Sequence, residues 1–230
     1  MAETKTGAPV KVRSNASNVS MEDIVEVLRT RIVNQELPPG FKLSEAMLTD
    51  EFKVSRPRIR EAFGVLEDRG LIERIPNRGA VVSRLEEKEI LSLFEVREVL
   101  EALAVRLATE KAQPGAWDEL SKNFGHPAKH AIEAGNLDFY VECVNSFRET
   151  AIAAADNAVL AAQMESLFDR TRVLIRRLVL VPGRAEAGRQ QHQEILQAMV
   201  AGDAEQAERL KRNNIRSSRE TFIHYRSFLI

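Results

Sequence analysis

The segment from Leu43 to Val82 constrains the fold most, because it contains two short stretches of helical apolar periodicity and then a hairpin-like stretch. Ser44 and Ser55 each precede one helical stretch, where a serine hydroxyl caps a helix by accepting a backbone N–H of its first turn. Pro57 falls in the first turn of the second helix, where a backbone N–H would have no partner within the helix, so the proline is tolerated. The segment therefore predicts two helices joined by a tight turn.

A small β-hairpin is predicted directly after these helices. Residues 71–75 and 80–83 are candidate strands, and residues 76–79 between them read Pro-Asn-Arg-Gly, a composition typical of hairpin turns. Another helix is predicted to begin after Ser20, which precedes acidic residues and a further stretch of helical periodicity. Three helices followed by a hairpin indicate a winged helix-turn-helix, a fold that reads DNA.

The arginines of this segment are the candidate DNA contacts. Arg56 and Arg60 lie one turn apart at the N-terminal end of the second helix of the pair, the end that enters the major groove. Arg58 lies about 200° from Arg56 around the helix, so a phosphate contact or a solvated position is expected for it. For any single arginine, a solvated helix with no nucleic-acid role is an alternative, but the ordered set favours DNA binding. The predicted DNA-binding set is Ser55, Arg56, Arg58, Arg60, Arg78 and Gly79.

Residues 21–84 resemble the winged-helix domain of the GntR family of bacterial transcription regulators. The resemblance rests on Leu37-Pro38-Pro39-Gly40, Leu43, Glu45, Leu48, Phe52, Val54-Ser55-Arg56, Arg60-Glu61-Ala62, Leu66-Glu67, Gly70-Leu71 and Asn77-Arg78-Gly79. It implies binding to a double-stranded DNA operator. The family usually has Ser-Arg-Thr-Pro-Val-Arg-Glu-Ala where residues 55–62 of this chain read Ser-Arg-Pro-Arg-Ile-Arg-Glu-Ala. This departure leaves the operator sequence open but not the mode of binding.

Composition indicates a globular protein large enough for two domains. The chain has 230 residues, 44% of them hydrophobic, and a formal net charge of −1. No apolar run approaches the ~20 residues of a membrane span and no signal peptide is visible, so we expect a cytoplasmic protein without a membrane partner. Cys143 is the single cysteine, which excludes a disulfide framework and a cysteine zinc site. Residues 21–85 hold 11 basic and 11 acidic residues, so weak binding to random DNA is expected.

The chain divides into a tail, a DNA-binding domain and a helical domain. Residues 1–19 are polar and are expected to be disordered, residues 20–85 form the winged helix-turn-helix, and residues 86–230 are almost wholly helical in pattern. Six helix breaks divide the last part, at Pro114-Gly115, His126-Pro127, Gly135-Asn136, Asn157, Pro182-Gly183 and Gly202-Asp203. The predicted fold is mainly α, with three helices and a hairpin followed by an antiparallel all-α bundle of six or seven helices.

Several polar residues fall on apolar stripes of the predicted bundle. The candidate effector-binding residues are Arg97, Glu101, Arg148, His192 and Asn214, which lie on four different helices. A buried charge costs several kcal/mol unless it is paired, so each group needs a partner. In one interpretation Arg97 pairs with Glu101, Arg148 reaches solvent, and His192 and Asn214 bond neighbouring carbonyls. In the other, all five surround a cavity for a small anionic molecule.

Residues 86–226 are similar to the FadR-type effector domain, or FCD domain, that follows the GntR winged helix. The similarity rests on Arg97, Glu101, Phe147, Asn157, Leu160, His192, Gly202-Asp203 and Ala207. Many members hold a divalent metal on one Asp and three His, and the metal helps to bind a carboxylate effector. At those positions this chain has Val144, Arg148, His192 and Asn214, so a single ligand is retained. Since Zn²⁺ usually takes at least three protein ligands, we expect no metal and no cofactor, with Arg148 supplying the positive charge instead.

Together these features predict a homodimeric bacterial repressor of a metabolic operon, with an operator and a small organic acid or other anionic effector as partners. The helical domain is expected to bind the effector and to dimerise. Two alternatives remain: an effector-free dimeric DNA-binding protein, or an enzyme that uses His192 with Glu101. The second alternative has no nucleophile–base pair to support it, so no catalytic residue is predicted.

Overall fold

A computed structural model describes residues 19–229, without the side chains of Ser166, Phe168 and Thr171. Except for Val19, the predicted tail of residues 1–19 lies outside the described residues. Across the described range the chain forms ten α-helices and one two-stranded sheet, so the expected mainly α architecture is confirmed. Among these helices, none combines the length and the apolar character needed to cross a bilayer.

The N-terminal part is a winged helix-turn-helix. Its elements are α1 (Met21–Val33), α2 (Glu45–Phe52), α3 (Arg56–Asp68), β1 (Ile72–Ile75) and β2 (Gly79–Val82). Ser20 and Ser44 cap α1 and α2 as expected, by accepting the backbone N–H groups of Asp23 and Met47. Ser55 is the N-cap residue of α3, but its side chain makes no capping hydrogen bond, so that detail of the prediction was wrong. Pro57 occupies the second helical position and offers no N–H to the serine hydroxyl.

The hairpin is offset from the predicted strands by one residue. Gly79 adopts a φ of 83° and pairs with Ile75, so β2 begins one residue early and the turn has three residues. A short extended segment before α2 also flanks β2, since Leu43 N–H donates to the Ala80 carbonyl at 2.9 Å. This second pairing of β2 was not predicted, because residues 40–43 are too few to show a two-residue periodicity.

The C-terminal part is a bundle of seven helices. These are α4 (Glu87–Lys111), α5 (Asp118–Phe124), α6 (His126–Glu133), α7 (Leu137–Ala154), α8 (Ala158–Leu178), α9 (Arg184–Val200) and α10 (Ala204–Leu229). Each predicted break falls at a helix boundary, and the helix count is the larger of the two predicted values. α10 packs along α4 and α9, and the fully buried Phe124, Phe147, Ile195 and Leu196 form the centre of the core.

The two parts meet through α8, which contacts α1 of the winged helix. Arg29 of α1 donates a hydrogen bond from Nη1 to Oδ1 of Asp169 at 2.9 Å, and the Asp169 residue is only 2% exposed. Arg69, directly after α3, places Nη1 3.6 Å from the other oxygen of the same carboxylate. Gly70 has a φ of 66°, and a Cβ there would lie 1.7 Å from the Arg170 guanidinium. A buried carboxylate on α8 therefore joins the helical domain to two arginines of the winged helix.

Candidate DNA interface and cation cavity

The N-terminal end of α3 presents a small basic surface. Ser55, Arg56 and Arg60 are exposed there, and the Ser55 hydroxyl is not used for capping. Arg60 donates from Nε to both carboxylate oxygens of Glu45 on α2, at 3.0 and 3.1 Å. This pairing orients the guanidinium while its Nη groups stay accessible, which suits bidentate contact with guanine or phosphate.

Arg58 occupies a different environment from its neighbours. Its side chain is half-buried, and Nη1 donates to the carbonyl of Val19 at 3.0 Å. The predicted solvated position is therefore wrong, whereas the predicted phosphate contact stays a prediction. Because Arg58 points away from the face of Arg56, it meets the chain leading into α1 instead. In this position Arg58 ties α3 to the start of α1.

The β1–β2 hairpin, which is the wing of this fold, carries Arg78 at its exposed tip. Asn77 has a φ of 63°, and the backbone N–H of Arg78 donates to the Ile75 carbonyl at 3.0 Å, which closes the turn. Arg78 and Gly79 are both exposed. The tip can therefore approach a DNA backbone without displacing a packed side chain.

All five candidate effector residues converge on one cavity inside the helical domain. The residues Arg97, Glu101, Arg148, His192 and Asn214 line it and are each 3–4% exposed. The interpretation in which Arg148 reaches solvent is wrong, because its side chain is only 5% exposed. The cavity has a free volume of about 40 Å³, which is room for a few water molecules.

Four further polar residues of the cavity were not predicted. They are Tyr140, Arg184, Lys211 and Ser218. Lys211 carried a usable signal, because it lies one turn after Ala207 and three residues before Asn214 on a buried stripe of α10. Arg184 carried none, since it is the first residue of α9 and follows the Pro182-Gly183 break like any solvated helix start.

Glu101 contacts three of the cations that line the cavity. Its carboxylate accepts from Arg97 Nε at 2.8 Å, lies 2.9 Å from Lys211 Nζ, and lies 3.8 Å from Arg148 Nε. Burial alone would raise the pKa of Glu101, but the charges of Arg97, Lys211 and Arg148 outweigh it and hold that pKa well below its usual value. The carboxylate is therefore ionised throughout the neutral range.

The cavity carries more positive than negative charge. Arg97, Arg148, Arg184 and Lys211 face a single carboxylate, that of Glu101. Burial lowers the pKa of Arg148 to about 10, with Glu101 opposing the shift, so this guanidinium is still charged at neutral pH. The lining as a whole therefore attracts an anion. We call this site, lined by Arg97, Arg148, Arg184 and Lys211, the cation cavity.

His192 adds no charge to this lining. Its ring stacks on Phe124 with centroids 4.8 Å apart and meets the edge of Phe147 at 5.0 Å. Burial lowers the pKa of His192 to about 3, helped by the nearby charge of Lys211. Its Nδ1 lies 2.7 Å from the Gly188 carbonyl, as the local-partner interpretation expected. Asn214 differs from that expectation, since its Nδ2 donates to the Gln191 side chain at 2.8 Å.

The positions that the FCD resemblance assigns to metal ligands hold a different chemistry here. Val144 and Arg148 cannot coordinate a cation, and Asn214 is already bonded to Gln191. Within residues 19–229, no group of three or more His, Cys, Asp or Glu side chains is placed to hold a metal ion. The expectation of a metal-free cavity stays a prediction.

The chain combines a winged helix-turn-helix with a helical domain that has a buried polar cavity. This combination in a single polypeptide is typical of one class of transcription regulators. The chain belongs to the GntR family of bacterial regulatory proteins: residues 20–82 match the family's DNA-binding model, and residues 92–217 match the FCD domain. The family consists of transcription regulators, so the enzyme alternative is excluded.

Known relatives extend over most of the chain. The transcriptional repressor RspR of Escherichia coli is 28% identical over 215 residues, which is 92% of each protein. The repressor GlaR of the same species is 28% identical over 196 residues, 82% of this chain and 89% of GlaR. The gluconate operon repressor of Bacillus subtilis is 36% identical over 134 residues, 58% of this chain and 54% of that protein.

Solved structures support the fold. Escherichia coli McbR/YncC superposes with a TM-score of 0.75 at 20% identity and covers 92% of this chain and 100% of its own. A GntR regulator from a Rhodococcus species superposes with a TM-score of 0.73 at 20% identity, covering 89% of this chain and 97% of its own. At this identity the likeness concerns the architecture alone.

Proposed function

We propose that this protein is a homodimeric repressor of a metabolic operon, which releases its operator when a small anionic metabolite enters the cation cavity. Residues 20–85 bind double-stranded DNA, and residues 86–230 bind the effector and dimerise. The repressor names of RspR, GlaR and the gluconate regulator support the sign of regulation. The protein acts in the cytoplasm, where its operator is.

The observation that carries this proposal is the excess of buried cations. Three buried cations and the half-buried Arg184 line a small cavity that holds one carboxylate, and buried charge is costly unless it is compensated. A bundle that only dimerises gains nothing from such a core, which argues against an effector-free protein. An anionic effector supplies the missing negative charge.

The winged helix reads each half of a palindromic operator. Arg56 and Arg60 enter the major groove from the start of α3, and Arg78 reaches the backbone or the minor groove. Ser55 and Gly79 approach phosphates, whereas Arg58 supports the fold through Val19. In a dimer of such readers the half-sites are about one helical turn apart.

Dimerisation uses an apolar stripe of α4. Val96 and Val99 lie one turn apart on this helix and are 44% and 50% exposed. Leu100 and Leu103 continue the stripe as half-buried residues. A second copy that covers this stripe buries apolar area, which favours association by roughly 25 cal/mol per Å².

Effector binding reaches the DNA-binding domain through α8. Ile175 and Leu178 of α8 line the cavity, while Asp169 of the same helix binds Arg29. The free volume of about 40 Å³ is smaller than an organic acid, so ligand entry pushes the lining side chains apart. A displacement of α8 of this origin moves the residue that holds the winged helix. A coupling of about 1–3 kcal/mol is enough for regulation.

A thermal-shift screen with dicarboxylates, sugar acids and acyl-coenzyme A compounds tests the cavity. We expect at least one acid to raise the melting temperature of the wild type and of Arg106→Met, a change at a half-exposed arginine of α4 that lies outside the cavity. The same acid has no effect on Arg148→Met. An equal shift in Arg148→Met, or no shift with any acid, would contradict the proposal.

A further inference from the structure

Two adjoining cavities lie where the winged helix meets α8 and the end of α10. The inner cavity has a free volume of about 40 Å³ and lies between apolar residues of both domains, among them Ile32 and Leu174. The outer one is an open cleft of about 630 Å³, a size that suits a small organic ligand. Gln35, Arg177 and Leu229 line both, and we call the outer space the interdomain cleft. None of its described lining residues belongs to the cation cavity.

The walls of the interdomain cleft are apolar and exposed. Leu180 and Pro182 come from the connection between α8 and α9, and Tyr225 and Phe228 come from the last turns of α10. Leu180 is 65% exposed and Phe228 is 86% exposed. Large exposed apolar side chains that are grouped around a cleft are typical of a binding surface.

Arg177 places a positive charge between the two cavities. Its Nη1 donates to the Leu229 carbonyl at 2.6 Å, and in the described part of the chain its guanidinium pairs with no carboxylate. Burial lowers the pKa of Arg177, and no neighbouring acid among these residues opposes the shift. The other cation of the two linings, Arg170, already donates from Nη1 to Glu89 at 2.5 Å, and no described acid lines either cavity. A half-buried charge that lacks a counter-charge favours an anion as its partner.

We propose that the interdomain cleft is a second ligand site, which binds an amphipathic monoanion. The carboxylate of this ligand accepts from Arg177, and its apolar body covers Leu180 and Phe228. Gln35 belongs to the winged helix, so the occupant contacts both domains. The inference goes beyond the proposed function because it concerns another cavity, and either can hold without the other.

A second copy of the chain is the other candidate to cover these apolar residues. Two-fold symmetry would place the same surface against itself, and that surface brings another Arg177 but no described acid. Arg177 would then stay uncompensated in the interface. A small anion both covers the apolar walls and supplies the missing charge.

Calorimetric titration of the full-length protein at pH 7.5 tests the ligand class. The probes are 4-phenylbutyrate and 1-naphthaleneacetate, their neutral amides, which keep the apolar body, and acetate, which keeps the charge alone. We expect at least one aromatic acid to bind, and its amide and acetate to bind at least about tenfold more weakly. An amide that binds as tightly as its acid would overturn the inference.

Variants of the cleft test where the acid binds. Arg177→Gln is expected to weaken the binding of the acid at least about tenfold, and Arg209→Gln, at an exposed arginine of α10 outside the cleft, is its control. Phe228→Ser changes a residue that is 86% exposed, so the core is untouched, and it is also expected to weaken the binding of the acid. Val200→Ser, at an exposed valine of α9, is its control. An unchanged affinity for the acid in Arg177→Gln or in Phe228→Ser contradicts the inference.

Three other results would overturn the inference and leave the proposed function standing. Binding that is lost in Arg148→Met but kept in Arg177→Gln would place the acid in the cation cavity. Dissociation of the dimer in Phe228→Ser, measured by sedimentation velocity, would make a second copy the occupant of the cleft. If neither aromatic acid binds at up to about 1 mM, the second site is absent, whatever the response of the melting temperature to acids in the cation cavity.

Discussion

At the scale of single residues, the most consequential feature is the carboxylate of Glu101. It is the single acid among the four cations of the cavity, and the three buried ones, Arg97, Lys211 and Arg148, lie within 2.8–3.8 Å of it. Removing one partner of a buried ion pair leaves an uncompensated charge, which is more damaging than the loss of an exposed pair. The cavity therefore depends on Glu101 as an internal anion.

We expect Glu101→Gln to lower the free energy of unfolding by roughly 3–5 kcal/mol at pH 7.5. The folded-state pKa of Glu101 lies well below the unfolded value near 4.5, so its stabilisation is full above about pH 5. This stabilisation is lost as the pH falls through 4.5 towards the folded pKa. The difference in the free energy of unfolding between the wild type and Glu101→Gln therefore shrinks in that range. Urea unfolding from pH 7.5 to 4 measures this. Glu110→Gln, at an exposed pair, is the control, and a similar effect of both changes would contradict the role of Glu101.

His192 should make the protein less stable in mild acid. Its pKa is about 3 in the folded state and about 6.5 in the unfolded chain, so the unfolded state binds the proton between these values. Stability therefore rises with pH across that window. We expect the wild type to lose about 2 kcal/mol more than His192→Phe when the pH falls from 7.5 to 5. Parallel unfolding curves for the two proteins would show that His192 is not buried in neutral form.

At the scale of elements, an ion pair between α2 and α3 orients an arginine that we propose to contact DNA. Glu45 of α2 holds Arg60 through Nε, which leaves the two Nη groups for a bidentate contact. Both residues are at the surface, so the pair contributes little to stability. Its value is the orientation of the guanidinium before DNA arrives.

We expect Arg60→Ala to weaken operator binding by roughly 5- to 150-fold, corresponding to about 1–3 kcal/mol for a base contact. The melting temperature and the dimerisation of the variant should stay near those of the wild type. Fluorescence anisotropy with labelled operator, beside calorimetry, measures both. Arg216→Ala, at an exposed arginine of α10, is the control. Equal losses of fold and of DNA binding would make Arg60 a structural residue.

Most elements could be predicted from the sequence, because helix breaks and caps are local signals. Every predicted break in the helical domain coincides with a boundary, and the hairpin is offset by one residue. The five predicted cavity residues do line one cavity, since a charged side chain on an apolar stripe is visible without a structure. Arg184 and the Val19 partner of Arg58 were not predictable, because each depends on contacts between segments far apart in the chain.

At the scale of the whole molecule, the two domains share one buried charged contact. Asp169, in the middle of α8, contacts Arg29 and Arg69 of the winged helix, while Ile175 and Leu178 near the C-terminal end of α8 line the cavity. The same helix therefore contacts both sites, which is the physical requirement for coupling their equilibria.

We expect Asp169→Asn to reduce the effect of a bound acid on operator affinity, from the usual 5- to 150-fold range towards no effect. The affinity of the cavity for the acid should change only by the amount that the coupling contributed. Operator titrations with and without the acid measure this ratio. Glu142→Gln, at an exposed acid of α7, is the control. An unchanged ratio in Asp169→Asn would mean that the coupling takes another route.

The central claim is that an anion bound by the cation cavity, without a metal, releases the protein from DNA. Operator affinity measured against rising concentrations of the acids in EDTA tests it most directly. We predict that at least one acid releases the wild-type protein from its operator in EDTA, and that Arg148→Met stays bound at the same concentrations. Release that requires added metal, or that persists unchanged in Arg148→Met, would contradict it.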